Sequence, residues 1–396
     1  MKAVVFTLGC KVNEAESSAI EAGLEEMGVE TSKMLSFADI YILNTCAVTA
    51  EAERKSRQLV ARVKKFNANA KIFVCGCASE KDRKPFEEKG VTFVCGARRK
   101  QEVLDAVAES LFLNGVEMPY PKNTRTRAFI KIQDGCNNFC SYCLIPYLRG
   151  RERSRSIEDI LYEVESCACP EIVLNGINIS SFGGGLEGLI NALRGVDKRI
   201  RLGSLECSAI TGNLLSELKN LKDFAPQFHL SLQSGSDAVL KAMNRRYTRS
   251  QYLEKCEMIY SAFPDSAITT DIIAGFATET EKDFEESLSI IKEAGLARVH
   301  AFAYSPREGT AAYRLKDLPQ KVKSERLHRL LAAAEEARIA YADKFLCTER
   351  TIIAEDKNQG YTDNYIRVYS DSELIEGNKY KVKLLKHFKD GVTGTV

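Results

Sequence analysis

The sequence predicts an α/β protein with three parts: an N-terminal doubly wound parallel sheet, a central partial (β/α)6 barrel of the TIM type, and a small C-terminal antiparallel β-barrel. Three observations lead to this prediction. Two series of alternating strand and helix patterns fill most of the 396 residues. The basic, proline-containing stretch Pro119–Thr126 separates the two series. From Cys347 onward, short β patterns alternate with turn residues.

Each strand of the two series is predicted from a short apolar run. In the first series we expect strands at Ala3–Leu8, Asp39–Asn44, Lys71–Cys75 and Val91–Val94, and helices near residues 14–27 and 50–66. In the second we expect strands at Phe129–Gln133, Glu171–Asn175, Arg201–Leu205, Phe228–Leu232, Ile268–Ala274 and Arg298–Ala303. A long charged helix, Pro319–Phe345, precedes the C-terminal β runs Thr351–Ala354, Tyr365–Tyr369 and Lys379–Leu385.

The composition excludes several classes of protein. The chain has 56 Lys and Arg against 54 Asp and Glu, so an anionic partner would have to bind local basic patches. No apolar run approaches the ~18 residues that span a bilayer, and the apolar stretch at the start is too short for a signal peptide. We therefore expect a cytoplasmic protein without a membrane partner, whose 13 cysteines are reduced rather than paired as disulfides.

Cys136, Cys140 and Cys143, which we call the radical set, follow the first predicted barrel strand with the spacing C-x3-C-x2-C. Three thiolates on one short loop can hold three irons of a [4Fe–4S] cluster and leave the fourth iron open. A structural zinc site would need a fourth ligand, and the nearest histidine, His229, is far along the chain. Three core thiols are the alternative, but this spacing favours a cluster.

Three further cysteines, which we call the auxiliary set, follow strands of the N-terminal sheet: Cys10, Cys46 and Cys77. The carboxyl ends of parallel strands share one edge, so these thiols are expected to converge and bind a second cluster. Any one of them alone would more simply be a core thiol. Cys75 and Cys95 compete for the third ligand position, and strand alternation places Cys75 on the same side as Cys77.

Five motifs together resemble those of the methylthiotransferases, a family of radical S-adenosylmethionine enzymes. They are Leu8-Gly-Cys-Lys-Val-Asn, Asn44-Thr-Cys-Ala-Val-Thr, Gly76-Cys-Ala, the segment from Asp134 to Gly150, and Gln233-Ser-Gly-Ser. The resemblance covers the whole chain. It implies a methylthiotransferase domain at residues 1–118, a radical S-adenosylmethionine domain at 119–342 and an RNA-binding TRAM domain at 343–396. It also implies that Cys77 is the third auxiliary ligand, because the family's cysteine follows Gly.

The branch of the family is indicated by short signatures. Lys-Val-Asn after Cys10, Ala-Val-Thr after Cys46 and Asn-Asn-Phe after Cys136 are similar to the branch acting on N6-threonylcarbamoyladenosine at tRNA position 37. The branches for isopentenyladenosine and for a ribosomal protein typically have Gln-Met-Asn and Pro-Lys-Asn after the first cysteine. A non-catalytic iron–sulfur RNA-binding protein is a rival of another class, but the open ligand position at both clusters argues against it.

The resemblance implies methylthiolation at C2 of the modified base in a tRNA anticodon stem-loop. The radical set would bind the [4Fe–4S] cluster that cleaves S-adenosylmethionine to a 5′-deoxyadenosyl radical, and the auxiliary set would bind a second [4Fe–4S] cluster carrying the sulfur. An electron donor and a sulfur source, both unidentified, would complete the reaction. Both clusters must face one cavity, so the N-terminal sheet edge is expected over the barrel mouth. The cofactors then carry the hard chemistry, and the four scattered histidines are expected to have packing or surface roles.

Ten positions match cofactor motifs of the superfamily, and the resemblance implies that they contact S-adenosylmethionine. They are Tyr142, Asn175, Gly176, Asn178, Ser204, Glu206, Gln233, Arg245, Asp271 and Gly275. Arg246 is as available as Arg245 to meet a carboxylate. Two residues depart from the family pattern, Asn175 where Thr is common and Ala277 where Pro is usual, and neither departure removes a ligand.

Two basic clusters are candidates for phosphate contacts with tRNA. Residues 122–155 hold eight basic residues against two acidic ones, including the run Arg149, Arg151, Arg153 and Arg155. Lys379, Lys381 and Lys383 alternate along a predicted strand and therefore share one of its faces. The alternative for both clusters is a solvated surface without a nucleic-acid role.

Overall fold

The N-terminal part is a five-stranded parallel sheet with an apolar core on each face. The computed structural model describes residues 1–121 and 126–396. The strands are β1 (Lys2–Thr7), β2 (Glu30–Ser32), β3 (Ile40–Thr45), β4 (Lys71–Gly76) and β5 (Phe93–Val94). The helices are α1 (Lys11–Glu26), α2 (Ala50–Lys64), α3 (Cys77–Lys81), α4 (Lys84–Glu87) and α5 (Gln101–Leu111). The order β2-β1-β3-β4-β5 confirms the doubly wound sheet.

The central part confirms the partial barrel. Its strands are β6 (Arg127–Asp134), β7 (Arg153–Ser154), β8 (Glu171–Gly176), β9 (Arg199–Leu202), β10 (Ser204–Leu205), β11 (Gln227–Leu230), β12 (Ala267–Ala274) and β13 (Arg298–Ala303). Its helices are α6 (Ile145–Arg149), α7 (Ile157–Ser166), α8 (Leu186–Ala192), α9 (Gly212–Lys219), α10 (Asp237–Ala242), α11 (Arg249–Ala262), α12 (Glu281–Glu293) and α13 (Gln320–Asp343). The chain passes from β9 to β10 at Gly203, so the wall consists of two sheets, β7-β6-β8-β9 and β10-β11-β12-β13.

Alternation along the barrel strands separates an apolar core from a polar lumen. Ile172, Phe228 and Ile272 belong to the large apolar cluster between the strands and their helices. Residues at alternate positions, such as His229 and Asp271, point to the opposite side and therefore line the lumen. This polar lining is available for ligands, whereas the helix-facing residues serve packing.

The C-terminal part confirms the small β-barrel. Its strands are β14 (Glu349–Asp356), β15 (Gln359–Thr362), β16 (Arg367–Ser370), β17 (Lys379–Phe388) and β18 (Gly391–Thr395). They close in the order β14-β15-β16-β18-β17, and the pairing of β16 with β18 is parallel while the others are antiparallel. Closure leaves no unpaired strand edge in this barrel. Strands β15 and β18 were not predicted, nor were β2 and β7, because each is short and lacks an apolar run.

The two smaller parts lie at opposite ends of the central barrel. The C-terminal barrel packs at the amino ends of the strands, where Arg127 forms an ion pair of 3.0 Å with Glu355 and Thr126 Oγ1 donates to the Ala354 carbonyl at 3.2 Å. The N-terminal domain contacts segments that follow the carboxyl ends, including an ion pair between Arg307 and Glu53. The N-terminal sheet therefore lies over the barrel mouth, as expected. Within the described ranges, no helix has the length and apolar character needed to cross a membrane.

Candidate iron–sulfur and S-adenosylmethionine site

The radical set lies on the loop that follows β6, at the mouth of the barrel. Backbone hydrogen bonds fix this loop at both ends: the Cys136 amide donates to the Gly150 carbonyl at 3.1 Å, and the Ser141 amide donates to the Met243 carbonyl at 3.0 Å. Phe139 has a φ of +49°, which turns the loop between the first two thiols. The result is a compact loop that presents three half-buried thiols.

Burial and mutual repulsion act on these thiols. Burial raises the pKa of Cys136, and Cys140 adds to the effect. Burial also raises the pKa of Cys143, to about 12, with further contributions from the other two thiols. An Arg245 guanidinium nitrogen lies 3.3 Å from the Cys140 sulfur, whereas Arg246 is exposed, so only the former faces the loop. Three neighbouring thiols beside one cation form a donor set suited to iron, which binds thiolates.

The auxiliary set converges at the carboxyl edge of the N-terminal sheet. Cys46 and Cys77 are buried and Cys10 is exposed. The three thiols interact electrostatically: burial raises the pKa of Cys77 to about 11, and Cys10 and Cys46 raise it further. A Cβ at Gly9 would approach the Cys46 sulfur to 3.1 Å, which shows how closely the loop of Cys10 passes the second thiol. The predicted convergence is therefore present, while cluster binding remains a prediction.

The prediction that Cys75 and Cys77 share a side of the strand is wrong. Strand β4 ends at Gly76, whose φ of +107° turns the chain into helix α3, so Cys77 does not continue the strand alternation. A Cβ at Gly76 would lie 2.3 Å from the Thr45 carbonyl oxygen, so only glycine fits this turn. Cys75 and Cys95 pack in the apolar core on the other face of the sheet. The geometry thus supports Cys77 as the third member.

A buried polar network joins the two cysteine-bearing regions; we call it the Arg149 network. One Arg149 nitrogen donates to Glu16 Oε1 at 2.9 Å and the other to Asn13 Oδ1 at 2.6 Å. Asn13 Nδ2 in turn donates to the carbonyls of Leu8 and Thr45, at 2.8 and 3.1 Å, and so ties together the loops of Cys10 and Cys46. The other members of the network are Lys100, Lys131 and Asp134.

The charges in this network compensate one another. Burial alone would raise the pKa of Glu16, but Lys100, Lys131 and Arg149 hold it well below its usual range. Glu16, Cys77 and Asp134 hold the pKa of Arg149 above its ordinary value, although burial opposes them. Because Arg149 follows the radical set in helix α6 while Asn13 and Glu16 follow Cys10 in helix α1, the network fixes the two sets relative to each other. This role is not predicted from the sequence, where Asn13 in the Lys-Val-Asn signature is its only signal.

The prediction that Arg149 contacts tRNA is wrong. Arg149 is completely buried, and its guanidinium is occupied by Glu16 and Asn13, so no phosphate can reach it. Arg155 is half-buried and forms an ion pair with Glu163. Arg151 and Arg153 are exposed and stay candidates. Lys122 and Arg125, which contributed to the predicted basic segment, lie outside the described residues.

The lysines of strand β17 are placed as predicted, while their role stays a prediction. Lys379, Lys381 and Lys383 are exposed, whereas Val382 and Leu384, on the alternate positions, belong to the apolar core of the C-terminal barrel. Two of the lysines form exposed ion pairs, Lys379 with Asp223 at 2.8 Å and Lys381 with Glu349 at 3.4 Å. Exposed pairs of this kind contribute little free energy, so the lysines remain available to phosphates.

Most of the ten predicted cofactor residues lie at the carboxyl ends of the barrel strands. Glu206 Oε1 accepts a hydrogen bond of 2.6 Å from Asn138 and lies 3.4 Å from Arg245, which ties it to the cysteine loop. Tyr142 packs against the apolar cluster that contains Phe276 and Tyr304. Asn178 is buried and its amide donates to Gln133 Oε1 at 2.8 Å.

The remaining predicted positions have mixed surroundings. Gln233 is buried with a φ of +73°, and Ser204 is exposed. A Cβ at Gly176 would lie 2.9 Å from the Gln133 carbonyl, and one at Gly275 would lie 2.5 Å from Lys323 Cγ. These two glycines are therefore required by the protein's own packing, whatever their role toward a ligand.

Asn175 bears directly on the fit of a polar cofactor. Its side chain is buried, and its Nδ2 has no hydrogen-bond partner among the described residues. Asn137 Oδ1, next to Cys136, is a second buried polar atom without a partner in the described part of the chain. Buried polar groups normally have partners, so these two atoms suit a site that takes a polar ligand.

Two of the histidines are not scattered, contrary to expectation. His229, Asp271 and His300 lie on the adjacent strands β11, β12 and β13, and one ligand atom from each falls within 4.8 Å of the other two. His229 Nε2 is 3.4 Å from the Asp271 carboxylate, and the two imidazole centroids are 5.8 Å apart. Only the pairing of neighbouring strands reveals this cluster, because the three residues are distant in sequence. It also gives Asp271 a protein partner besides any cofactor.

Comparisons with known proteins agree with this architecture. Residues 130–291 match the Radical SAM superfamily, and residues 2–96 match the Uncharacterized protein family UPF0004. The chain is 36% identical to the threonylcarbamoyladenosine tRNA methylthiotransferase MtaB of Bacillus subtilis, over 98% of this chain and 94% of that protein. It is 35% identical to the tRNA-2-methylthio-N(6)-dimethylallyladenosine synthase of Petrotoga mobilis, over 98% of this chain and 97% of that protein.

A solved structure supports the fold alone. The radical S-adenosylmethionine methyltransferase TsrM from Kitasatospora setae superimposes with a TM-score of 0.55 at 12% identity, over 76% of this chain and 74% of that one. The likeness to the full-length relatives carries the family assignment. The chain belongs to the radical S-adenosylmethionine methylthiotransferases, enzymes whose radical domain uses a [4Fe–4S] cluster and S-adenosylmethionine.

Proposed function

We propose that this enzyme methylthiolates C2 of N6-threonylcarbamoyladenosine at position 37 of tRNA. The observation that carries the proposal is the presence of two separate sets of three thiols, one on each of two domains that the Arg149 network joins. Three thiolates leave one iron of a [4Fe–4S] cluster without a protein ligand. One open iron is enough for S-adenosylmethionine, so a second open iron is available to carry sulfur.

The residues of the chain have distinct parts in this proposal. Cys136, Cys140 and Cys143 would hold the radical cluster, and Cys10, Cys46 and Cys77 the auxiliary cluster. When bound, these groups and S-adenosylmethionine supply radical chemistry and sulfur for a C–H bond that has no acidic proton. Arg245 and Glu206, which contact each other beside the Cys140 thiol, would orient the amino-acid end of S-adenosylmethionine. Tyr142, in its apolar cluster, would cover the adenine.

The threonylcarbamoyl substrate is supported by the name of the Bacillus subtilis relative and by Lys-Val-Asn after Cys10. The Petrotoga mobilis relative is named for dimethylallyladenosine, which makes that base the second candidate. We further propose that Arg151, Arg153 and the three lysines of β17 contact tRNA phosphates. The proposed domain bounds are 1–118 for the methylthiotransferase domain, 119–342 for the radical domain and 343–396 for the RNA-binding domain. A tRNA substrate places the enzyme in the cytoplasm.

The test uses anaerobically reconstituted full-length protein and synthetic anticodon stem-loops. One RNA carries N6-threonylcarbamoyladenosine at position 37, a second carries dimethylallyladenosine and a third carries unmodified adenosine. We expect a methylthio product, detected by nucleoside mass spectrometry, from the first RNA only, and none with Cys136→Ala. Product only from the second RNA would overturn the threonylcarbamoyl assignment. If neither modified RNA gives a product although S-adenosylmethionine is still cleaved, the assignment to tRNA is overturned.

A further inference from the structure

The barrel lumen contains a lysine that the cysteine sets do not use. Lys11 is the first residue of α1, directly after the auxiliary cysteine Cys10. Its ammonium lies 5.8 Å from the ring centroid of Phe129 on β6, so the side chain reaches from the N-terminal domain to the barrel wall. Helix α1 packs against β6 and β8, which keeps Lys11 at this position. The side chain is accessible to solvent although protein surrounds it.

Lys11 shares the lumen with the histidine–aspartate cluster. His300 alternates with the core residue Val299 along β13 and therefore faces the same lumen as Lys11, which also contributes to the electrostatic environment of His300. Burial and the nearby cations lower the pKa of His300, while Asp271 opposes them. A neutral His300 can donate one hydrogen bond. The lumen therefore offers a cation and a neutral donor in one space.

The carboxylates that face this space already have partners. Asp271 lies 3.4 Å from His229 Nε2. Glu171, at the amino end of β8, forms ion pairs with Arg127 at 2.7 Å and Arg201 at 2.9 Å. In contrast, the Lys11 ammonium has neither an ion-pair partner within 4 Å nor a hydrogen-bond acceptor among residues 1–121 and 126–396. An entering anion would therefore meet an uncommitted cation.

The two candidate bases differ in what this lumen would have to accept. The threonylcarbamoyl group ends in a carboxylate, whereas the dimethylallyl group is a neutral hydrocarbon. Burying a carboxylate is costly unless a cation and hydrogen-bond donors meet it, and a hydrocarbon gains nothing from charged neighbours. A lumen lined by Lys11, His229, Asp271 and His300 matches the first requirement and not the second.

We propose that Lys11 and His300 form the subsite that binds the carboxylate of the threonylcarbamoyl group and so determine which modified adenosine is accepted. This inference rests on the proposed function. It gives the lysine that follows Cys10 a role in binding the substrate, and it gives His300 the same role in place of the packing role expected from the sequence.

The first experiment needs no variant. Wild-type enzyme is given two stem-loops that differ only at the tail of the modified base, one with the free threonylcarbamoyl acid and one with its methyl ester. A charge-assisted contact predicts that kcat/KM for the ester falls by about tenfold to a hundredfold. Equal turnover of acid and ester would overturn the subsite while leaving the proposed function intact. Turnover of neither, with dimethylallyl RNA converted, would overturn the proposed function instead.

The second experiment identifies the residues. In Lys11→Gln and in His300→Leu the preference for acid over ester should shrink, and Lys11→Arg should retain most of it. Lys65→Gln, an exposed lysine of the same domain, serves as the charge-matched control and should keep the full preference. The ratio of kcat/KM for the acid to kcat/KM for the ester is measured within each variant. A variant that merely binds less cluster would lower both values equally and leave this ratio unchanged. An unchanged ratio in both Lys11→Gln and His300→Leu would overturn the assignment.

Discussion

The radical set lies within one loop of eight residues, 136–143, whereas the auxiliary set comes from three separate segments that follow β1, β3 and β4. The loop of the first set is held by one backbone hydrogen bond close in sequence, from Cys136 to Gly150, and by one from Ser141 to the distant Met243. The second exists only when the sheet has formed, and its loops of Cys10 and Cys46 are tied by Asn13, which the barrel residue Arg149 holds in turn. The three thiols of the first set are thus brought together by their spacing in the sequence, whereas those of the second set meet only through the sheet.

The largest expected effect tests whether the sets are independent. Cys136→Ala should abolish cleavage of S-adenosylmethionine and leave about four of eight irons, because each cubane site needs its own ligands. Cys77→Ala should lose the other four irons and methylthiolation but retain cleavage. Iron analysis and 5′-deoxyadenosine formation measure both.

The matched controls for this test are Cys75→Ala and Cys95→Ala, which lie in the core of the opposite face. Both should keep the auxiliary cluster, although each opens a small cavity. If Cys95→Ala loses the auxiliary cluster while Cys77→Ala retains it, the third ligand has been assigned incorrectly.

Arg149→Met should destabilise the protein through the contact between the two regions. The substitution removes the buried cation that pairs with Glu16 and Asp134, and removing one partner of a buried ion pair lowers the free energy of unfolding by about 3–5 kcal/mol. The urea midpoint of the transition that involves the N-terminal domain should fall, while Arg151→Met, an exposed arginine nearby, should leave it unchanged. Equal midpoints for both variants would show that the network does not hold the domains together.

Asn13→Ala should weaken iron binding at the auxiliary set and leave iron binding at the radical set unchanged. It removes the side chain that ties the loops of Cys10 and Cys46, so iron affinity of the auxiliary cluster should fall about 10–100-fold, as for other residues that orient metal ligands. The radical cluster should keep its iron in a chelator titration, since its loop does not depend on Asn13. Simultaneous loss of both clusters would instead indicate general unfolding, and the exposed Asn69→Ala serves as control.

The smallest effects concern RNA. Replacing Lys379, Lys381 and Lys383 with Ala should lower the slope of log affinity against log salt by roughly two to three units, at ~0.7–0.9 per phosphate. Replacing Arg151 and Arg153 should lower it by roughly 1.5 units for the same reason. An unchanged slope in either variant would remove that cluster from the interface.

How much the sequence predicted follows the same division between local and global structure. The position of the radical set on one loop after β6 could be predicted because its spacing is local, and its binding of a cluster stays a prediction. Cys77 could not be separated from Cys75 by strand periodicity, because the turn at Gly76 depends on the close approach of Thr45 in the neighbouring strand. The burial of Arg149 could not be predicted, because its partners Asn13 and Glu16 lie in another domain. His229 and His300 meet only through the order of β11, β12 and β13.

The position of the C-terminal barrel has a consequence for the proposed RNA contacts. Lys379 lies beside Asp223 at the amino end of the central barrel, whereas Arg153 lies beside Asp134 at the carboxyl end. Strand β12 has eight residues and therefore spans roughly 26 Å at ~3.3 Å per residue. If both basic clusters contact the RNA as proposed, the RNA must extend over at least this distance, and the central barrel would then set the length of stem that reaches both. Progressive shortening of the stem should raise KM abruptly once the lysine face is out of reach, while kcat stays constant.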